Sequence, residues 1–149
     1  METSRRYFTY QSACDLLPTL VSLLRNAIQA KSDRAKAQDD LKAYKQRLVL
    51  AGGAYPNRNR MSAYIDMAKS SHQSMKQCVD RITDEGVEIK DLDRGLIDFP
   101  ALYQGRPVYL CFHLGEDSIG HWHGIDEGFA SRKPIDKDFT DQLDAGFIS

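Results

Sequence analysis

Hydrophobic positions recur at helical spacing through the first half of the chain and at alternate positions through much of the second. Thr9 offers a hydroxyl cap for a short first helix, Tyr10–Leu17. Pro18 lacks an N–H donor and suits the first turn of a new helix, or a kink. From Thr19 to about Leu50 there is no Gly or Pro, and good helix formers dominate. Leu20, Leu23, Leu24, Ala27 and Ile28 form an apolar stripe, which thins to Ala35, Leu41, Tyr44 and Leu48. AGGAYPNRNR, Ala51 to Arg60, breaks the pattern. A further helix to about Asp84 carries a heptad-like seam of Met61, Ile65, Ala68, His72, Met75, Val79 and Ile82. Two long helices joined by a short loop predict an antiparallel hairpin, each arm about 40 Å long at 1.5 Å per residue. His72, within that seam, is read as a hydrogen-bonded interface residue.

At Gly86 the period changes. Val87 to Lys90 reads as a short strand, DLDRG as a turn, and Leu96 to Leu102 as a second strand that Pro100 confines to an edge or a bulge. Gln104-Gly105 predicts a hairpin turn. Pro107 to His113 is the clearest strand, with Val108, Leu110 and Phe112 on one face and Tyr109, Cys111 and His113 on the other. After LGED, Ser118 to His123 returns as a fourth strand. Phe139 and Phe147 are possible anchors of a polar tail. The expected fold is α+β: a long antiparallel helical hairpin with a short leading helix, packed on a small antiparallel meander. It forms one domain over 1–149, helical to about 85, strand-rich over about 86–130, with a tail over 131–149.

Composition adds limits rather than a function. With 149 residues, 42% hydrophobic, 28% charged and a net charge of -1, the chain has an ordinary globular make-up. The charge is uneven: residues 1–83 hold 14 basic and 7 acidic side chains, residues 84–149 hold 6 and 14. Either the two halves fold against each other, or the basic half meets a partner. Cys14, Cys78 and Cys111 are isolated and odd in number, which argues against a disulfide framework and for reduced, buried thiols. No signal-like or membrane-spanning apolar run is visible, and a cytoplasmic location is expected. No phosphate-loop, dinucleotide or nucleophile-elbow motif occurs.

The stretch GEDSIGHWHGIDEGF, Gly115 to Phe129, concentrates the candidate chemistry. His121 and His123 share one strand face while Trp122 faces the other, a spacing that suits a metal. A third ligand would come from His113 or Glu116, or from Asp93 or Asp98 on the neighbouring strand. Nitrogen with carboxylate oxygen suits zinc, manganese or iron. A catalytic metal would use Glu116 as base toward a bound water. Cys111 with His113 is a weaker thiol-nucleophile pairing. Arg132 either binds an anion or pairs with a nearby carboxylate, and the pairing is favoured.

YFTYQSACDLLPTL (Tyr7 to Leu20), GVEIKDLDRGLIDFPA (Gly86 to Ala101), VYLCFHLGE (Val108 to Glu116) and WHGIDEGFASRKPI (Trp122 to Ile135) resemble the bacterial family known as domain of unknown function 2203. Between Gln29 and Asp84 the likeness is only one of helical character. The resemblance implies no activity, but it singles out Asp93, Gly95, Asp98, Phe99, Pro100, Gly115, Glu116, Trp122, His123, Gly128 and Arg132. Phe112 and Cys14 stand where the family commonly shows Trp and Asn. His121 lies outside its pattern, which shifts weight to His123 with Glu116, Asp93 or Asp98.

Three functions remain open. One is a small binding protein whose sheet end holds a ligand or divalent metal through Asp93, Asp98, Glu116, Trp122, His123 and Arg132. Another is an interaction protein whose hairpin forms a homodimer or docks a protein partner. The third is a metal-assisted hydrolase. Nucleic acid is not supported, since Arg58 and Arg60 lack interleaved aromatics, and no membrane partner is expected.

Overall fold

The computed structural model describes residues 6–53 and 55–143. The architecture is α+β, with α1 (Tyr10–Leu50), α2 (Arg58–Asp84), a five-stranded antiparallel sheet and a short terminal helix. The chain divides into two compact units: Asn26–Val79, and the residues up to Arg25 together with those from Asp80 onward.

The second unit is the hairpin. Its antiparallel pairing shows in Tyr44 against Tyr64 and in Arg34 against His72. Ala27, Ala30, Ala37 and Tyr44 of α1 are buried. On α2 within this unit the less exposed positions are Met61, Tyr64, Ala68, Ser71, Met75, Cys78 and Val79, and Ile82, beyond it, is fully buried. The seam therefore has heptad spacing, as expected, but alternate positions shift by one. Ile65 and His72 lie beside it, where Tyr64 and Ser71 replace them, while Val79 shares the seam with Cys78. An alanine-lined partner face selects side chains by fit rather than by hydropathy, so Tyr64 meets Tyr44 with ring centroids 6.2 Å apart. His72 is exposed and meets Arg34, with Nδ1 3.0 Å from Nη1. Asn57 caps α2 by accepting from the Arg60 N–H.

In the first unit, Thr9 and Ser12 cap α1 reciprocally: the Ser12 N–H donates to Thr9 Oγ1, and the Thr9 N–H to Ser12 Oγ. The expected short leading helix is not separate, because α1 runs unbroken through Pro18. Pro18 removes one helical donor, a cost of about 3 kcal/mol. It sits on the exposed face, where water can take the freed carbonyl, while Ala13, Leu17, Leu20, Leu23 and Leu24 are buried on the other side. Burying four leucines at ~1.5–3 kcal/mol each outweighs the break.

The sheet is a meander of β1 (Glu88–Asp91), β2 (Leu96–Tyr103), β3 (Arg106–His113), β4 (His121–Gly124) and β5 (Lys133–Pro134). Pro100 lies in an interior strand, yet the edge rule holds locally. β1 pairs only as far as Asp98, and the Pro100 carbonyl accepts from the Phe8 N–H on that open side. The missing donor thus falls outside the β2–β3 ladder. One sheet face is apolar, with Ile97, Phe99, Ala101, Val108, Leu110 and Phe112 all buried. Phe8 packs edge-on against Phe99 there at 5.3 Å. The tail adds β5 and α3 (Lys137–Gln142), neither of which the sequence pattern marked. Phe139 of α3 is buried and stacks on Trp122 and Tyr103 at 4.6 and 4.9 Å. Phe147 lies outside the described residues.

Gly95 fixes the β1–β2 turn with φ +64°, and a Cβ there would lie 2.4 Å from Leu114 Cβ. Gly95→Ala is expected to cost about 2 kcal/mol, from left-handed backbone and overpacking together. Gly105→Ala, equally positive in φ but with no atom nearby, should cost about half that. Urea unfolding of the two variants checks the order.

Candidate metal centre

The second sheet face carries the polar residues. In the register, Asp98 lies opposite Cys111, Cys111 opposite His121, and Tyr109 opposite His123. Asp98, Cys111, His121 and His123 therefore stand together on one face of three adjacent strands. This polar face is not solvated. Asp98 is 1% exposed, Cys111 0% and His123 3%. The connection from β4 to β5 folds over them, and a cavity of about 200 Å³ lies between. Asp98, Cys111 and His123 line it with Lys90, Tyr109 and Phe129.

Asp98, Cys111 and His123 each offer one ligand atom, and the three lie within 4.8 Å of one another. His123 is oriented by the backbone of the next residue. Nδ1 is 2.8 Å from the Gly124 carbonyl, which can only accept, so Nδ1 carries a proton. Nε2 is thereby turned to Asp98 Oδ2, 3.0 Å away. Two lone pairs facing each other at that distance would repel, so a proton or a cation belongs between them. Asp98 Oδ1 is buried without a hydrogen-bond partner. The Cys111 thiol neighbours Asp98 electrostatically, but a hydrogen bond to Oδ1 is not formed.

Burial raises the Asp98 carboxyl above its ordinary range, against the pull of His123. Burial, with the Asp98 charge added, pushes the Cys111 thiol up to about 12, although Arg132 opposes the shift. Both shifts favour the protonated forms of Asp98 and Cys111 unless a cation compensates the buried charge.

Glu116 belongs to a neighbouring cluster. Its oxygens each lie 3.1 Å from Arg132 Nη1, and Oε1 accepts from the His113 N–H at 2.7 Å. His121 Nδ1 stands 3.4 Å from Glu116 Oε2 but forms no hydrogen bond. The expected metal set of Glu116, His123, Asp98 and His121 therefore divides. Asp98 and His123 come together with Cys111, while Glu116 and His121 join Arg132, whose expected carboxylate pairing is found. Asp93 is exposed in the β1–β2 turn, away from the cluster. Trp122 lies on the apolar face, with Lys133 Nζ 4.7 Å from its ring. His113 packs its ring on Phe129 and is not a ligand neighbour.

Cys111 is the residue that sequence reasoning left out of the metal set, having weighed it only as a nucleophile beside His113. Of the other cavity residues, Lys90 carried no sequence signal, while Glu127 and Phe129 lie in the Gly115–Phe129 stretch without having been singled out. A thiol nucleophile does not fit. His123 spends both ring nitrogens elsewhere, and the thiol is shifted away from thiolate.

Fold and site together define an α+β protein with a buried carboxylate–thiol–imidazole cluster under a loop. The chain matches the profile of domain of unknown function 2203, described as an uncharacterized conserved protein, over residues 6–135, and it belongs to that family. No curated protein and no solved structure matches the chain.

Proposed function

We propose that the protein is a small binding protein whose sheet holds one divalent transition metal between Asp98, Cys111 and His123. The observation that carries this reading is the buried triad itself, with Asp98 Oδ1 left without a hydrogen-bond partner. A buried polar atom left so is costly, by about 1–3 kcal/mol, unless an ion or water meets it. Thiolate, imidazole and carboxylate together favour zinc over iron and disfavour manganese. The Gly124 carbonyl then plays the usual outer role of fixing the imidazole.

Elemental mass spectrometry of protein purified without a histidine tag tests this. Near one equivalent of zinc is expected in the wild type, and little in His123→Ala or Cys111→Ser. Metal retained by both variants, or absent from a folded wild type reconstituted with zinc, would sink the reading.

The hydrolase alternative keeps one support, since three protein ligands leave a position toward the cavity. Its base would not be Glu116, which Arg132 and the His113 N–H already hold. Glu127 lines the cavity instead, paired with Lys133 at 2.9 Å. Association through the shaft of α2 has less support. Ile65 and Met67 are exposed, but two residues apart on a helix they point to different flanks rather than forming a stripe.

A further inference from the structure

The end of the hairpin combines two features that the metal reading does not use. The first is exposed apolar surface. Val49 is 76% exposed, Leu50 87% and Tyr55 100%. Leu41, Val49 and Leu50 also line a surface groove of about 650 Å³ flanked by Lys42 and Lys45. Single exposed apolar residues are common on soluble proteins, but a cluster within a few residues marks a contact surface. The second feature is charge. Residues 41–65 hold five basic side chains, Lys42, Lys45, Arg47, Arg58 and Arg60, and no acidic one. All five are exposed. They lie on the last turns of α1 and the first turn of α2, on both sides of the apolar residues.

We propose that this hairpin end docks on the surface of an anionic lipid bilayer. Such a surface offers both things the tip presents: negative headgroups for the cations, and an apolar boundary just beneath for Val49, Leu50 and Tyr55. Nucleic acid would satisfy the charges but has no apolar layer for two aliphatic side chains, and the tip lacks the aromatic-basic alternation that stacks bases. An acidic protein groove would have to supply an apolar floor and a wholly anionic rim together. Docking requires no spanning segment, and no described helix is long and apolar enough to cross a membrane. The proposal is independent of the metal site.

Flotation of the full chain with vesicles tests it. The protein should float with phosphatidylcholine vesicles that contain phosphatidylglycerol and stay behind with phosphatidylcholine alone. Raising salt should weaken the interaction. Each cation at such a surface is worth roughly fivefold in partitioning, so Lys45→Glu should weaken it on the order of tenfold or more. Leu50→Asp should do the same, and Lys69→Glu, on α2 away from the tip, should change little. Circular dichroism confirms that helix content is kept. The proposal is overturned by failure to float with anionic vesicles, by binding that ignores Leu50→Asp, or by a preference for duplex DNA or RNA over the vesicles. Capture by an acidic protein without any vesicle binding would overturn it as well.

Discussion

Removing zinc with a strong chelator is expected to lower the melting temperature by roughly 8–16 °C. A ligand present at about a thousand times its dissociation constant stabilises the native state by ~4 kcal/mol, and a chain of this size loses about 2–4 °C per kcal/mol. His123→Ala should show no chelator effect. The stabilisation should also shrink as pH falls, because the metal competes with protons at its ligands. Burial raises Asp98 and pushes Cys111 to about 12, so binding near neutral pH should release protons, that of the thiol first. Calorimetry in buffers of different ionisation enthalpy counts them. Equal melting temperatures with and without chelator would remove the basis for a metal role.

In the metal-free protein, stability should fall between pH 9 and 12. The Cys111 thiol is raised from its ordinary 9.0 to about 12. A group whose folded pKa lies above its unfolded value contributes stability that is whole below the unfolded pKa and lost as pH climbs toward the folded one. Three units correspond to about 4 kcal/mol by pH 12, and roughly 2 kcal/mol by pH 10.5. Urea unfolding of wild type and Cys111→Ala across that window should show the variant with the shallower decline. Identical slopes would mean that the thiol ionises as readily in the fold as out of it.

Much of this arrangement is legible in the sequence alone. Thr9 as a cap, the break at Ala51–Arg60, the strands around Leu96 and Val108, and the opposed faces of β3 all follow from local chemistry. One link was legible but not drawn. Gln104 and Gly105 both have positive φ, as a two-residue type I′ turn requires. Such a turn fixes the register of its strands, and counting outward from it places Asp98 opposite Cys111. That step would have put the thiol in the metal set. The pairing of β3 with β4 was not accessible in the same way. The connection over Leu114–Gly120 is too long to set a register, so only the fold shows His121 opposite Cys111. The burial of the polar face was hidden for a similar reason. It depends on where the Ile125–Arg132 connection lies, and no periodicity reports that. Pro18 misled because local propensity was weighed without the leucines that hold the helix on either side.

The hairpin seam has a consequence for how such a chain can change length. Met61, Tyr64, Ala68, Ser71, Met75 and Cys78 follow alternating steps of three and four. Adding or removing seven residues in each arm brings every remaining seam residue back to its face, whereas a change of one or two rotates the distal half by 100° or more. The hairpin can therefore serve as a stem adjustable in steps of about 10 Å. Matched seven-residue deletions, one within Lys31–Ala37 and one within Ser71–Gln77, should preserve cooperative unfolding and leave the cluster of Asp98, Cys111 and His123 untouched.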